Sequence, residues 1–118
     1  MTDTFHIVNG SFEAIICLDR IHTVPLKNWR KLVKLAAGDY RNKAALEDAR
    51  AWFTAAIEDA KEAWKTASRE YVDGYRIPRE RGQKAKNKEL IRAVKSAKSR
   101  HDRLLKRQTI LTEEVHTP

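Results

Sequence analysis

Between Leu46 and Ala67 the apolar residues Leu46, Ala49, Phe53, Ala56, Ala60, Ala63 and Ala67 recur at alternating intervals of three and four. That period belongs to an α-helix, and its persistence over several turns defines a seam that a second helix must cover. The pattern predicts a helix from about Asn42 to Asp73. Most seam residues are alanine, so a partner backbone approaches closely, and a flanking stripe of Trp52, Ile57, Trp64 and Tyr71 supplies the bulk that alanine lacks. Asp73 and Gly74 form a credible stop, and Pro78 and Gly82 mark a connection. The seam then restarts as Asn87, Leu90, Val94, Ala97, His101 and Leu104, supported by Ile91 and Leu105, which predicts a second helix from about Gln83 to Ile110 folded back on the first. At ~1.5 Å per residue each helix is ~40 Å long, more than a small sheet can cover. An apolar strip of Trp52, Trp64 and Tyr71 beside the seam therefore suggests a homo-oligomer.

The residues before these helices read differently. From Phe5 to Val24 the chain is rich in β-branched and aromatic residues, and Asn9 and Gly10 are the favoured pair for a two-residue hairpin turn. Phe12, Ala14, Ile16 and Leu18 alternate onto one strand face, and Asp19 and Arg20 turn the chain toward a third short strand, Ile21 to Val24. A small antiparallel β-meander over 5–24 is expected, resting on helices because so short a sheet is not stable alone. Pro25 then opens a short amphipathic helix over 25–37, with Leu26, Trp29, Leu32, Val33 and Ala36 on one face and Lys27, Arg30, Lys31 and Lys34 solvated on the other. The expected fold is α+β in a single domain, 1–118: meander, short helix, and a helical hairpin of 42–73 and 83–110.

Charge is the main pointer to function. Thirteen Lys or Arg lie between Tyr75 and Leu111 against Glu80, Glu89 and Asp102, a local excess of +10 in a chain whose net charge is +8. Such a segment attracts a phosphate-rich or carboxylate-rich partner. No stretch approaches the ~20 apolar residues of a membrane span, and no signal-peptide pattern opens the chain, so the cytoplasm is the default compartment and no membrane partner is expected. Cys17, the single cysteine, sits among Ile15, Ile16 and Leu18 and reads as a small buried apolar residue. His6, His22, His101 and His116 have no partners at metal-ligand spacing, with His101 in the seam as a hydrogen-bonded core residue. There is no glycine-rich phosphate loop, no nucleophile elbow and no carboxylate pair in an apolar setting; Asp59 and Glu62 fall on an exposed helix side. A binding protein without catalytic residues, cofactor or metal is the expectation.

Three binding classes fit. A nucleic-acid binder would use Lys84, Lys86, Lys88, Arg92 and Lys95 to track a backbone by counterion release, although the cations are read as surrounding the helix and no helix-turn-helix, zinc-finger or RNA-binding signature is present. A binder of phosphorylated nucleotides would close Arg103 and Arg107, one turn apart, on a phosphate, with Arg100 in a neighbouring row. Phe12, Trp64, Tyr71 and Tyr75 are its available stacking rings, though packing is the commoner role for Phe12, Trp64 and Tyr71. A protein-interaction module would dock the cationic helix on an acidic partner surface, as inhibitors do.

The order of elements, with the hairpin segment Ile7-Val8-Asn9-Gly10-Ser11-Phe12-Glu13-Ala14 followed by two long helices ending in Arg103 and Arg107, resembles the phage anti-Thoeris sponge proteins. The resemblance implies a non-catalytic oligomer that sequesters a cyclic ADP-ribose-type immune signal between subunits in a host-cell cytoplasm. It would assign Arg103 and Arg107 to the diphosphate and Phe12 or Tyr71 to the adenine. The lysine abundance from Lys84 to Lys98 exceeds what a small ligand requires, which keeps nucleic acid in contention.

Overall fold

The computed structural model describes residues Asp3 to His116 of the chain, His116 in its backbone only. Two antiparallel strands, β1 (Thr4–Asn9) and β2 (Phe12–Cys17), lead into 3-10 turns at Leu18–Thr23. A short helix α1 (Leu26–Ala37) and a further 3-10 turn (Tyr40–Asn42) follow. Two long helices, α2 (Lys43–Gly74) and α3 (Gln83–His116), then pack as a hairpin. The expected α+β class, short helix and helical hairpin are all present.

The strand register runs from Thr4 opposite Cys17 to Asn9 opposite Phe12, so the two-residue turn is Gly10 and Ser11, one position later than the Asn9–Gly10 pair suggests. Of these two turn residues Gly10 takes the positive φ, +60°, as a glycine-first hairpin turn requires. Asn9 stays in the strand and its side-chain Nδ2 donates to the Leu35 carbonyl at 2.8 Å. The third strand expected at Ile21 to Val24 does not form. Leu18 and Ile21 are instead buried from 3-10 turns, a spacing of three that places both on one side where a strand would have split them between faces.

Two compact units emerge: Met1–Ala56 with Arg103–Pro118, and Ile57–Asp102. The first holds most of the apolar core. Phe5 and Ile7 from β1, Trp29 and Val33 from α1, and Phe53 from α2 have almost no exposed surface. Their rings form a chain, Phe5 to Trp29 at 5.6 Å, Trp29 to Phe53 at 5.7 Å and Phe53 to Trp52 at 5.2 Å, in the tilted and edge-on arrangements that ring quadrupoles favour. Trp52 is thus covered within its own unit, its indole donating to Asp3 at 3.2 Å. β2 contributes less. Phe12 is 44 % exposed and Cys17 is exposed, so neither is the core residue its neighbours suggest; Cys17 falls on the outward side with Ile15, opposite Ala14 and Ile16.

A buried amide ties the sheet to the helices. Asn42, 1 % exposed, accepts from Val8 N–H at 2.9 Å and donates through Nδ2 to Val8 O at 2.6 Å and Ala36 O at 3.0 Å. Its side chain pairs with the outer edge of β1 as a neighbouring strand would. Asp39 fixes the turn that presents it: its carboxylate accepts from Arg41 N at 3.0 Å and from the Arg41 guanidinium at 2.7 Å. Those side-chain and backbone hydrogen bonds hold the Asp39 carboxyl at about 2, below its ordinary 3.8.

In the second unit Ala60 and Ala67 are buried as the seam predicts, whereas Ala63 is exposed. The same amide device recurs there. Asn87 accepts from Arg76 N–H at 3.3 Å and returns a bond to Arg76 O at 2.7 Å, pinning the connection between α2 and α3.

Asn42→Ala is expected to cost about 1–3 kcal/mol in urea unfolding, because Val8 and Ala36 lose partners that water replaces poorly. A variant of unchanged stability contradicts the strand-substitute role. The Asp39 contribution has a depressed folded-state pKa, so it is fully present above pH 4 and lost as pH falls through about 2. NMR titration of the Asp39 carboxyl in wild type and Arg41→Ala should show the pKa return toward its ordinary value in the variant.

Candidate functional site

The expected arginine pair is separated by its surroundings. Arg107 is 5 % exposed; Nη1 donates to Arg103 O at 3.0 Å and Nη2 to Val24 O at 2.9 Å. Its own carbonyl accepts from the Trp29 indole at 3.0 Å, so the residue joins α3 to α1 and to the turn before it. Burial, then the neighbouring Arg103 charge, push its pKa below the ordinary arginine value, and Nε is buried without a hydrogen-bond partner among the described residues. A fork already spent on backbone carbonyls does not open toward a phosphate. The sequence disguises this because Arg107 falls three residues beyond Leu104, where the seam continues to Ile110 and Leu111, both buried. Arg103 and Arg100 are exposed. The two-arginine clamp is therefore not the arrangement this chain adopts.

The remaining cations of α3 are organised otherwise. At 3.6 residues per turn, Lys84, Lys88, Arg92 and Lys95 fall within roughly 80° of one another, on the side away from Asn87, Leu90, Val94 and Ala97. All four are exposed. Burying one side of α3 against α2 leaves the rest for charge: these four form a row ~16 Å long, and Lys86, Lys98 and Arg100 stand exposed at other angles, so cations also surround the helix as expected. Lys86 stands outside it, exposed, with its aliphatic stem close to Gly74.

None of the four cations in the row meets a carboxylate among the described residues. Ion pairs form at Arg30 with Glu114 at 3.0 Å and with Glu113 at 3.5 Å, at Arg41 with Asp39 at 2.7 Å, and at Lys65 with Glu62 at 3.5 Å. An unpaired row keeps its full attraction for an external anion, screened over a Debye length of about 8 Å at physiological salt.

Aromatic residues flank the row in the same unit. Tyr71 is half-buried, its ring tilted 40° against Tyr75 at 5.1 Å, and it lines a shallow hollow of about 270 Å³ with Ile91, Val94 and Lys95. Lys95 thus belongs to both row and hollow. Trp64, one heptad before Tyr71 on α2, packs 5.5 Å from the His101 ring, which places His101 in the seam as expected; His101 Nδ1 lies 3.2 Å from Asp102. Phe12 belongs to the first unit, as do Arg103 and Arg107, whereas Tyr71 and Arg100 belong to the second.

No helix among the described residues is long and apolar enough to cross a membrane. Comparisons with family models, curated proteins and solved structures return no match to this chain. The geometry stands alone as the guide to function.

Arg107→Ala is expected to lower stability by about 1–3 kcal/mol in urea unfolding, since Val24 O loses its donor. Binding of a polyphosphate probe should stay within twofold of wild type. Arg103→Ala should leave stability within about 0.5 kcal/mol. Loss of probe binding in a folded Arg107→Ala protein would restore the clamp.

Proposed function

We propose that this chain is a non-catalytic nucleic-acid-binding protein that engages the sugar-phosphate backbone through Lys84, Lys88, Arg92 and Lys95. One observation supports this above the others: four exposed cations share one side of α3 and have no carboxylate partner among the described residues. A row ~16 Å long matches about five phosphates of one strand at 3.4 Å each. Lysine and arginine on one helix face supply positional contacts without reading bases, so the binding is expected to be insensitive to sequence. Release of condensed counterions drives it, and affinity falls as salt rises.

A second reading rests on the Tyr71 hollow. A ring, two aliphatic side chains and one lysine form a site of the size and chemistry that a nucleobase with a nearby phosphate would enter. In that reading the protein sequesters a phosphorylated or cyclic nucleotide, and Tyr71→Ala removes binding of an adenine dinucleotide in calorimetry. Absence of any heat with wild type at millimolar ligand excludes it.

The first reading is tested by replacing Lys84, Lys88, Arg92 and Lys95 with Gln. Duplex binding, followed by anisotropy from 50 to 200 mM salt, should show a plot of log affinity against log salt whose slope is shallower by about three to four than that of wild type. Changing three exposed cations of α1, Lys27, Lys31 and Lys34, to Gln should leave the slope nearly as it was. Equal effects of the two sets would reduce the row to bulk charge and contradict the proposal.

A further inference from the structure

The hollow on α2 beside Trp64 has a composition that the backbone row does not explain. Lys61, Trp64, Lys65, Ser68 and Arg69 line a shallow space of about 380 Å³. Their spacing of three, four, seven and eight residues puts them on one helix face. The wall is dominated by apolar surface, from the indole and the aliphatic stems, while three cationic heads stand at its rim. From α3, Lys98 Nζ sits 6.0 Å from the centre of the indole ring, at the outer limit of a cation–π contact and so weakly held. Lys61 and Arg69 have no ion partner among the described residues, and the exposed pair of Lys65 with Glu62 at 3.5 Å is too weak to occupy Lys65.

A structural role accounts for only part of Trp64. The ring is tilted 44° against His101, which anchors it to α3, yet it remains half-buried where a purely packing tryptophan such as Trp29 is wholly covered. A rigid aromatic surface ringed by four cations is poorly suited to an acidic peptide, whose carboxylates gain nothing from the indole. It suits a ligand that carries a flat ring and an anion in each repeating unit.

We infer that Trp64 is a base-stacking platform for single-stranded nucleic acid, with Lys61, Lys65, Arg69 and Lys98 receiving the phosphates on either side of the stacked nucleotide. The inference rests on the nucleic-acid reading above and deepens it: the row supplies attraction to any backbone, and Trp64 supplies a preference for strands whose bases are unpaired. In a duplex the base faces are already stacked, so Trp64 adds nothing there. Lys98 moves off the ring when a base arrives and keeps its charge beside the adjoining phosphate.

The test uses the full chain and three probes of equal length: a single-stranded oligothymidine, the same strand with every base removed, and a duplex. Trp29 and Trp52 are buried and provide a constant fluorescence background. Oligothymidine is expected to quench the Trp64 emission, whereas the abasic strand and the duplex bind without quenching. Trp64→Leu, which keeps apolar bulk against His101, should lower affinity for oligothymidine by roughly five- to a hundredfold and leave the duplex and abasic affinities within twofold. Trp64→Phe should recover a large part of the loss, which a merely structural role would not distinguish from Leu. If wild type binds all three probes with equal affinity and unchanged emission, the platform is overturned while the backbone row stands. If no probe binds, both fall together.

Discussion

Two buried asparagine side chains carry the backbone connections on which each half of this protein depends. A two-stranded hairpin leaves one edge of each strand unpaired, and a long connection between helices leaves its amides unsatisfied. Asn42 answers the first problem by bonding both Val8 N–H and Val8 O, and Asn87 answers the second in the same way at Arg76. A primary amide holds a donor and an acceptor at the spacing of a peptide group, so it completes a ladder without a third strand. The third strand expected at Ile21 to Val24 would have lain against β2, on the opposite edge of the sheet; those residues instead turn and bury Leu18 and Ile21.

The distribution of charge follows from the same economy of partners. Among the described residues Arg107 is the buried arginine: its guanidinium donates to Val24 O and Arg103 O, and its carbonyl accepts from the Trp29 indole. With that residue committed to the core, the cationic character of α3 resides in its exposed side. Along Lys84, Lys88, Arg92 and Lys95 no carboxylate competes among the described residues, and the seam side of the helix is occupied by Asn87, Leu90, Val94 and Ala97. Amphipathicity therefore does more than build the hairpin; it gathers lysines and an arginine into a row that shares Lys95 with the aromatic hollow of Tyr71.

Much of the architecture was legible in the sequence because it rests on period. The three-and-four spacing located α2 and α3, and Trp29, Val33 and Ala36 located the buried face of α1. Departures occurred where a side chain's partner, not its spacing, decides its place. Asn42 was invisible because nothing in a linear pattern marks an amide that serves a strand thirty-four residues away. Arg107 was misread because an arginine on a seam looks like surface charge until the carbonyls it reaches are known. Alternation points Phe12 inward and apolar neighbours do the same for Cys17, yet Phe12 at the strand's start is 44 % exposed and Cys17 falls on the outward face of β2 with Ile15. Of the candidate site, Lys84, Lys88, Arg92, Lys95 and Tyr71 were identifiable from residue type, while their assembly into a row and a hollow needed the helix pairing. Trp64 was assigned to packing, which its contact with His101 supports, but the cations around it were not connected to it.

The central claim is that the cations of α3 gather a nucleic-acid backbone along one side of that helix. Lysine acetylation footprinting read by mass spectrometry tests it most directly, comparing the free protein with its oligonucleotide complex at physiological salt. The account predicts protection of Lys84, Lys88 and Lys95, with Lys27, Lys31 and Lys34 on α1 modified as in the free protein. Protection spread evenly over both sets, or confined to α1, would contradict it.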